Sequence, residues 1–143
     1  MARAPREKVA AIDLGKARVG VAVSDDLGLL AHPRPPLSGK STKALLAALV
    51  ELAREEEITR FLVGLPLEMS GSEGTAARRA IAFAEELEAR AGIAVELIDE
   101  RLTTVEAGRR LDAHGVSTRK KQPLIDSAAA AVMLQSWLDR AQG

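Results

Sequence analysis

The sequence predicts an α/β fold in which helices cover both faces of a five-stranded mixed sheet. Three short apolar segments of strand type follow one another near the start of the chain. Helix and strand patterns then alternate along the remaining residues. Strands joined by a tight turn pair antiparallel, whereas strands joined through a helix normally pair parallel. The predicted sheet therefore contains both kinds of pairing.

Three strands are expected in the first part of the chain. Residues 9–14 and 19–24 are rich in Val, Ile and Ala, and the four-residue turn between them is typical of a hairpin. A weaker third strand is expected over residues 27–34. The residues expected to end it are Pro33, Pro35 and Pro36.

The other elements follow from apolar spacing. We expect strands at about 61–64 and 93–98, and helices at about 41–56, 74–91, 103–114 and 123–140. Thr103, with Glu106 three residues later, has the spacing of a capping box, and Pro123 suits the first position of the last helix. The side chains expected to face inward in that helix are Ile125, Ala129, Val132 and Trp137.

Length and composition limit the classes of function. The 143 residues fit a single domain, 1–143 with a core at about 8–138, and the absence of Cys excludes disulfides, zinc-thiolate sites and a thiol nucleophile. Neither a secretory leader nor an apolar run of spanning length is present, so we expect a cytoplasmic protein that has no membrane partner. Net charge is zero, but residues 1–50 and 101–143 are basic while residues 51–100 are acidic.

An acidic residue interrupts the first apolar strand. Asp13 opens the segment DLGKARVGVA, in which Gly15 and Gly20 would let a phosphate-bearing ligand approach the backbone and Arg18 could contact it. A carboxylate in a buried strand is unfavourable unless a charged partner lies beside it. The alternative interpretation is ordinary turn chemistry.

Two adjacent carboxylates end the last predicted strand. Side chains alternate along a strand, so only one of Asp99 and Glu100 is expected to point toward a site shared with Asp13. The periodicity does not choose between them. Acidic residues that stabilise the following helix are the alternative interpretation.

The third acidic position is Asp126, placed by the pattern about one turn into the last helix and followed by small residues at 127–131. Small residues would let this helix lie close to the sheet, within reach of Asp13. Clustered carboxylates repel one another unless cations neutralise them, and an oxygen-only ligand set favours Mg²⁺ or Mn²⁺. The combination predicts a two-metal site for phosphodiester hydrolysis.

Basic residues near these positions are expected to hold a nucleic-acid backbone. The glycine-containing loop from Gly64 to Gly74 lacks the Gly-Lys-Ser/Thr of a P-loop, but its N–H groups could contact phosphates. A connector loop and a solvated basic surface are the alternative interpretations. The residues expected to contact the backbone are Arg18, Arg78, Arg79, Arg101, Arg119, Lys120 and Lys121.

Four segments follow one another along the chain: DLGKARVGVA, VGLPLEMSGSEG, IDERLTT and the KxxxIDSAAAAVMLQ segment that begins at Lys121. Together they resemble the YqgF/RuvX family of Holliday junction resolvase-like proteins, also described as pre-16S rRNA nucleases. The resemblance covers about residues 8–138. It implies an RNase H-like fold, a divalent metal cofactor (Mg²⁺ or Mn²⁺), and 5′-end processing of the 16S rRNA precursor.

The resemblance also implies the site residues. The acidic positions of the family fall on Asp13, on the Asp99–Glu100 pair and on Asp126, and we assign the catalytic and metal-binding role to Asp13, Glu100 and Asp126, with Asp99 in reserve. Junction resolvases of this superfamily carry a second acidic residue three positions after the last-helix Asp, where this chain has Ala129. This departure weakens the interpretation as a Holliday junction resolvase and leaves that of a three-carboxylate nuclease intact.

Two other functions compete with an RNA nuclease. A Holliday junction resolvase would act on branched DNA and would need a dimer to cut two strands symmetrically. A non-catalytic RNA-binding assembly factor would bind without cleavage. We expect pre-rRNA as the partner and a monomer or weak homodimer.

Overall fold

The computed structural model of the chain describes residues 7–15, 17–67, 74–116 and 126–142. A single sheet runs through the structure in the order β3-β2-β1-β4-β5. Its strands are β1 (Val9–Leu14), β2 (Arg18–Ser24), β3 (Ala31–Ser38), β4 (Arg60–Leu65) and β5 (Ala94–Asp99). β1, β2 and β3 pair antiparallel, whereas β4 pairs parallel with both β1 and β5. The mixed five-stranded sheet expected from the sequence is confirmed.

Four helices and one 3₁₀ turn complete the described chain. The 3₁₀ turn, Glu100–Leu102, directly follows β5. The helices are α1 (Thr42–Glu56), α2 (Thr75–Ala91), α3 (Val105–Ala113) and α4 (Ala128–Gln142). Within the described ranges, no helix has both the length and the apolar character needed to cross a bilayer.

The helices lie on both faces of the sheet, as expected. One core layer packs α1 and α2 against alternate strand residues such as Ile12 and Phe61. The other packs α3 and α4 against the intervening residues, such as Ala11 and Leu62. Side chains point to opposite faces at successive positions of a strand. Asp13 therefore shares with Ala11 the face that carries α3 and α4.

The start of α3 differs from the prediction. Thr104, not Thr103, caps this helix, and its side chain accepts a hydrogen bond from the Ala107 N–H at 3.1 Å. Thr103 instead ends the 3₁₀ turn, because its own N–H bonds to the carbonyl oxygen of Glu100. The additional turn after β5 moves the first residue of α3 along the chain by one position.

β3 also differs from its predicted bounds, because it begins at Ala31 and continues through the three prolines to Ser38. It is an edge strand, and on its open side no neighbouring strand needs the N–H group that proline lacks. The pairing with β2 shifts between Val19 and Val21, which places Pro35 and Pro36 at a bulge. Residues 25–30 form a turn instead, closed by the Asp25 carboxylate, which accepts from the Leu29 N–H at 2.8 Å.

The inward face of α4 was predicted in part, because Val132 and Trp137 pack against the core as expected but Ala129 does not. Ala129 is exposed, whereas the buried apolar positions of the helix are Ala130, Ala131, Met133, Leu134 and Leu138. Val132 and Trp137 are half-buried. The hydrophobic pattern also missed Gln135, a polar residue that is fully buried and bonds to the backbone of residues 29 and 31. Pro123 and Ile125 lie outside the described residues.

Candidate active site

Asp13 lies near the end of β1, between two glycines. Its partner in the register with β2 is Gly20. On the β4 side, Gly64 comes directly after the Ile12–Val63 pair. Neighbouring residues in register point to the same face. On the α4 side of the sheet, the Asp13 carboxylate therefore has no side chain from either adjacent strand at its own level.

Glu100 uses the space above Gly64. Although the residue is exposed as a whole, its carboxyl group turns inward and forms a hydrogen bond with Asp13. A Cβ at residue 64 would lie 2.6 Å from Glu100 Oε1 and 3.3 Å from its Cγ. This approach is possible only because residue 64 has no side chain.

The pKa values of both carboxyl groups in this pair are raised. Burial raises the pKa of Asp13, although the hydrogen bond with Glu100 acts in the opposite direction. The pKa of Glu100 is also raised, first by burial and then by the charge of Asp13 and the hydrogen bond to it. Two carboxylates in contact repel unless a proton or another cation lies between them. The pair is therefore a site that attracts positive charge.

Asp99 points away from this pair. Its carboxylate binds the Arg101 guanidinium at 2.8 Å and accepts a hydrogen bond from the Arg101 N–H at 2.9 Å. These contacts lower the pKa of Asp99. Asp99 thus stabilises the 3₁₀ turn, and of the two adjacent carboxylates the structure brings Glu100 to Asp13.

Asp126 approaches Asp13 from the other side. It lies two residues before the first residue of α4, rather than one turn inside the helix as the sequence pattern suggested. Its backbone packs on Gly20, where a Cβ would clash with the Asp126 carbonyl oxygen and lie 3.1 Å from Ser127 Cα. The Asp126 carboxylate forms an ion pair with Arg18, with an Nη1–Oδ2 distance of 2.7 Å.

Ser127 fixes this segment to the sheet, a role that the sequence analysis did not identify. Its buried hydroxyl accepts a hydrogen bond from the Val21 N–H at 3.0 Å and donates one to the Arg34 carbonyl oxygen at 2.6 Å. Val21 and Arg34 are partners in the β2–β3 register, next to the bulge. One hydroxyl therefore bridges two strands and positions Asp126. A serine in an alanine-rich segment was the available signal.

The three predicted carboxylates reach the same end of the sheet, but only two of them touch. Among the residues that the structure describes, no set of three or more acidic or histidine side chains is arranged to hold a metal ion. Asp13 and Glu100 form the contact, while Asp126 binds Arg18. The arrangement is a carboxyl pair with a third carboxylate one strand away.

Four of the predicted backbone-binding arginines are exposed: Arg18, Arg78, Arg79 and Arg101. Arg79 of α2 reaches the β1–β2 turn, where its Nη2 lies 3.5 Å from the Gly15 carbonyl oxygen. Arg18 and Arg101 each hold a carboxylate at the same end of the sheet. The predicted basic run at residues 119–121 and loop residues 68–73 lie outside the described residues.

Comparisons with known proteins agree with the resemblance found in the sequence. The model of the family described as RuvX, Holliday junction resolvase, matches residues 7–140. A protein of Anaeromyxobacter dehalogenans strain 2CP-1, described as a candidate pre-16S rRNA nuclease, is 48% identical over 129 residues, covering 90% of this chain and 94% of its own length. A protein of Moorella thermoacetica with the same description is 42% identical over 133 residues, covering 93% and 95%.

Solved structures support the fold. Thermus thermophilus RuvC in complex with a Holliday junction superimposes with a TM-score of 0.65 at 14% identity, covering 96% of this chain and 98% of that chain. The fowlpox virus resolvase bound to junction DNA gives 0.58 at 10% identity, covering 95% and 99%. The RNase H-like fold is confirmed. With a family match over nearly the whole sequence and close relatives of similar length, the chain belongs to the RuvX family of Holliday junction resolvase-like proteins.

Proposed function

We propose that the protein is a metal-dependent nuclease that hydrolyses RNA phosphodiester bonds, and that its substrate is the 16S rRNA precursor, processed at its 5′ end. The observation that carries the proposal is the Asp13–Glu100 carboxyl pair, which has raised pKa values and lies at a sheet end surrounded by arginines. The names of relatives at 42–48% identity support the choice of RNA.

The residues fit a hard divalent cation. Two carboxyl groups in contact repel one another when both are ionised, and a cation between them would relieve that repulsion. The ligands would be Asp13, Glu100 and Asp126, an all-oxygen set that suits Mg²⁺ or Mn²⁺. When bound, such ions supply the charge that activates water and stabilises the leaving oxygen of a phosphodiester.

The residues of the chain have distinct roles in this mechanism. Asp13 and Glu100 would hold the metal ions through their negative charge, and Gly64 lets the two carboxyl groups meet. Exposed Arg79 and Arg101 attract the nucleic-acid backbone and orient it without reading its sequence. Ser127 keeps Asp126 at the sheet end through its two hydrogen bonds.

Holliday junction cleavage is a second candidate function, favoured by the family description and by the shared fold. One feature of the chain opposes it. Three positions after Asp126, where the junction resolvases have a second carboxylate, the chain has Ala129, whose exposed position leaves room for a larger side chain. The three remaining carboxylates, Asp13, Glu100 and Asp126, would still give an all-oxygen ligand set for a divalent cation.

A cleavage assay distinguishes the functions. Purified protein is incubated with a 16S rRNA precursor fragment, an unstructured RNA and a four-way DNA junction, each with Mg²⁺, Mn²⁺ or EDTA. We expect metal-dependent cutting of the precursor RNA, with Asp13→Asn as the inactive control. Paired nicks in the junction without RNA cleavage would support the resolvase function, and binding without cleavage of any substrate would support an assembly factor.

A further inference from the structure

We propose that Arg18 couples substrate binding to the assembly of the metal site: it holds the Asp126 carboxylate in the free protein and releases it when a substrate phosphate takes over the guanidinium. This inference rests on the proposed function. It explains why the third carboxylate reaches the same end of the sheet as the acidic pair and yet binds an arginine. The coupling would make a complete site form only beneath a bound strand.

At the ion pair between Arg18 and Asp126, the backbone is held in place and the side chains can rotate. Arg18 and Asp126 are 108 positions apart in the chain, and their side chains meet at 2.7 Å. The backbone on both sides is fixed, because Arg18 is paired with Ser38 in the sheet and Ser127 bonds to two strands. A change of partner therefore requires only that side chains rotate.

The pair is accessible to a phosphate. The Arg18 side chain is 63% exposed, whereas the Asp126 side chain is 29% exposed. A guanidinium binds carboxylate and phosphate oxygens through the same planar set of N–H donors. An incoming phosphate can therefore replace Asp126 at Arg18 from the solvent side, and the freed carboxylate remains on a backbone segment that packs on Gly20, the register partner of Asp13.

The strength of the pair suits an exchange. Exposed ion pairs contribute little to stability. We therefore expect the ion pair with Arg18 to lower the metal affinity of the free protein by a factor of roughly two to five. That factor is large enough to weaken metal binding measurably in the free protein. It is small enough for one phosphate contact to reverse it.

Arg101 provides a matched control. It is also exposed and also binds a carboxylate, at 2.8 Å, but its partner Asp99 points away from Asp13. Arg101→Gln removes the same charge from the same end of the sheet without freeing Asp126. A comparison of the two variants separates the loss of a nearby positive charge from the release of a ligand.

The first measurement is the affinity of the free protein for Mn²⁺ by calorimetry. We expect Arg18→Gln to bind Mn²⁺ about two- to fivefold more tightly than Arg101→Gln does. In an Asp126→Asn background, Arg18→Gln should add nothing. Equal affinity in the two arginine variants would overturn the proposal, and so would an Arg18 effect that persists without the Asp126 carboxylate.

The second measurement is RNA affinity by fluorescence anisotropy, in EDTA and in Ca²⁺, with a short precursor RNA checked by gel for integrity. When a cation satisfies Asp126, Arg18 is free to bind phosphate, so Arg18→Gln should weaken RNA binding more in Ca²⁺ than in EDTA. Thermodynamic reciprocity makes the difference equal to the coupling factor. The same loss in both buffers would show an ordinary phosphate contact and would refute the coupling.

The outcomes distinguish this proposal from the function on which it rests. Mn²⁺ binding that depends on Asp13 and Glu100 but not on Arg18 would overturn the coupling and leave the nuclease intact. Mn²⁺ binding that survives Asp13→Asn, or no binding in the wild type, would overturn the proposed metal site and the coupling with it. Unchanged thermal unfolding of Arg18→Gln serves as the folding control, because exposed charges contribute little to stability.

Discussion

Replacing Gly64 with alanine tests whether the contact between Asp13 and Glu100 matters for activity. The added methyl group would lie 2.6 Å from Glu100 Oε1, and ordinary contact begins near 3.4 Å, so the carboxyl group has to move by about 0.8 Å. The group that the added methyl meets is the end of the flexible Glu100 side chain, so this movement costs little energy. We expect this movement to disturb the contact between Glu100 and Asp13.

We expect a large effect on activity and a small effect on stability. A misplacement of about 1 Å can lower turnover by roughly 100-fold, and we expect a loss of this size for Gly64→Ala. The free energy of unfolding should stay within about 1 kcal/mol of wild type, because alanine is favoured over glycine inside a strand by a similar amount. RNA cleavage under Mg²⁺ and denaturant unfolding measure the two quantities.

Gly20→Ala is the informative comparison. There the added methyl group meets the backbone of residues 126 and 127, which cannot rotate away. We expect this variant to lose activity and also about 1–3 kcal/mol of stability, as overpacked sites do. Wild-type cleavage and metal affinity in Gly64→Ala would refute the argument that this glycine lets Glu100 reach its position.

Three further outcomes follow from the site. Asp13→Asn should abolish cleavage but retain RNA binding in a filter assay. It should unfold no more easily than wild type at neutral pH, because it removes one of two repelling charges. Full turnover by this variant would remove Asp13 from the mechanism. Glu100→Gln should lose far more activity than Asp99→Asn in the same assay, and the reverse ranking would move the ligand role to Asp99. The protonated pair contributes stability at low pH, and this contribution is lost as pH rises through the raised pKa values of Asp13 and Glu100. Over this pH window, metal-free wild type should therefore lose stability relative to Asp13→Asn, and the rise in unfolding temperature that Mn²⁺ causes in wild type should grow. Parallel pH profiles of stability for the two proteins would contradict this prediction.

Much of the fold follows from local sequence patterns. The bounds of α1 and α2 were predicted to within one residue, because local features set them: Ser41 caps α1, and a glycine at position 92 with a φ of 70° ends α2. The errors occur where a distant contact decides the outcome. Pro33 is tolerated in β3 because this strand lies at the edge, and Gln135 is buried because backbone groups of the turn before β3 bond to it.

The candidate site was predictable in its residue types but not in its construction. Strand alternation left Asp99 and Glu100 equivalent, and the choice between them depends on Arg101, which binds Asp99. Gly64 appeared to be a loop glycine, since its role depends on a carboxyl group that approaches from beyond the next strand. Such contacts join segments that no local pattern connects.

The prolines of β3 have a consequence for self-association. An open sheet edge offers N–H and C=O groups on which a strand of another molecule can add, and this is a common route to aggregation. Pro33, Pro35 and Pro36 remove three donors from an eight-residue edge strand, and the bulge beside them interrupts its regular spacing. Strand addition is thereby blocked on one side of the sheet, so two copies that joined their sheets edge to edge would have to use β5.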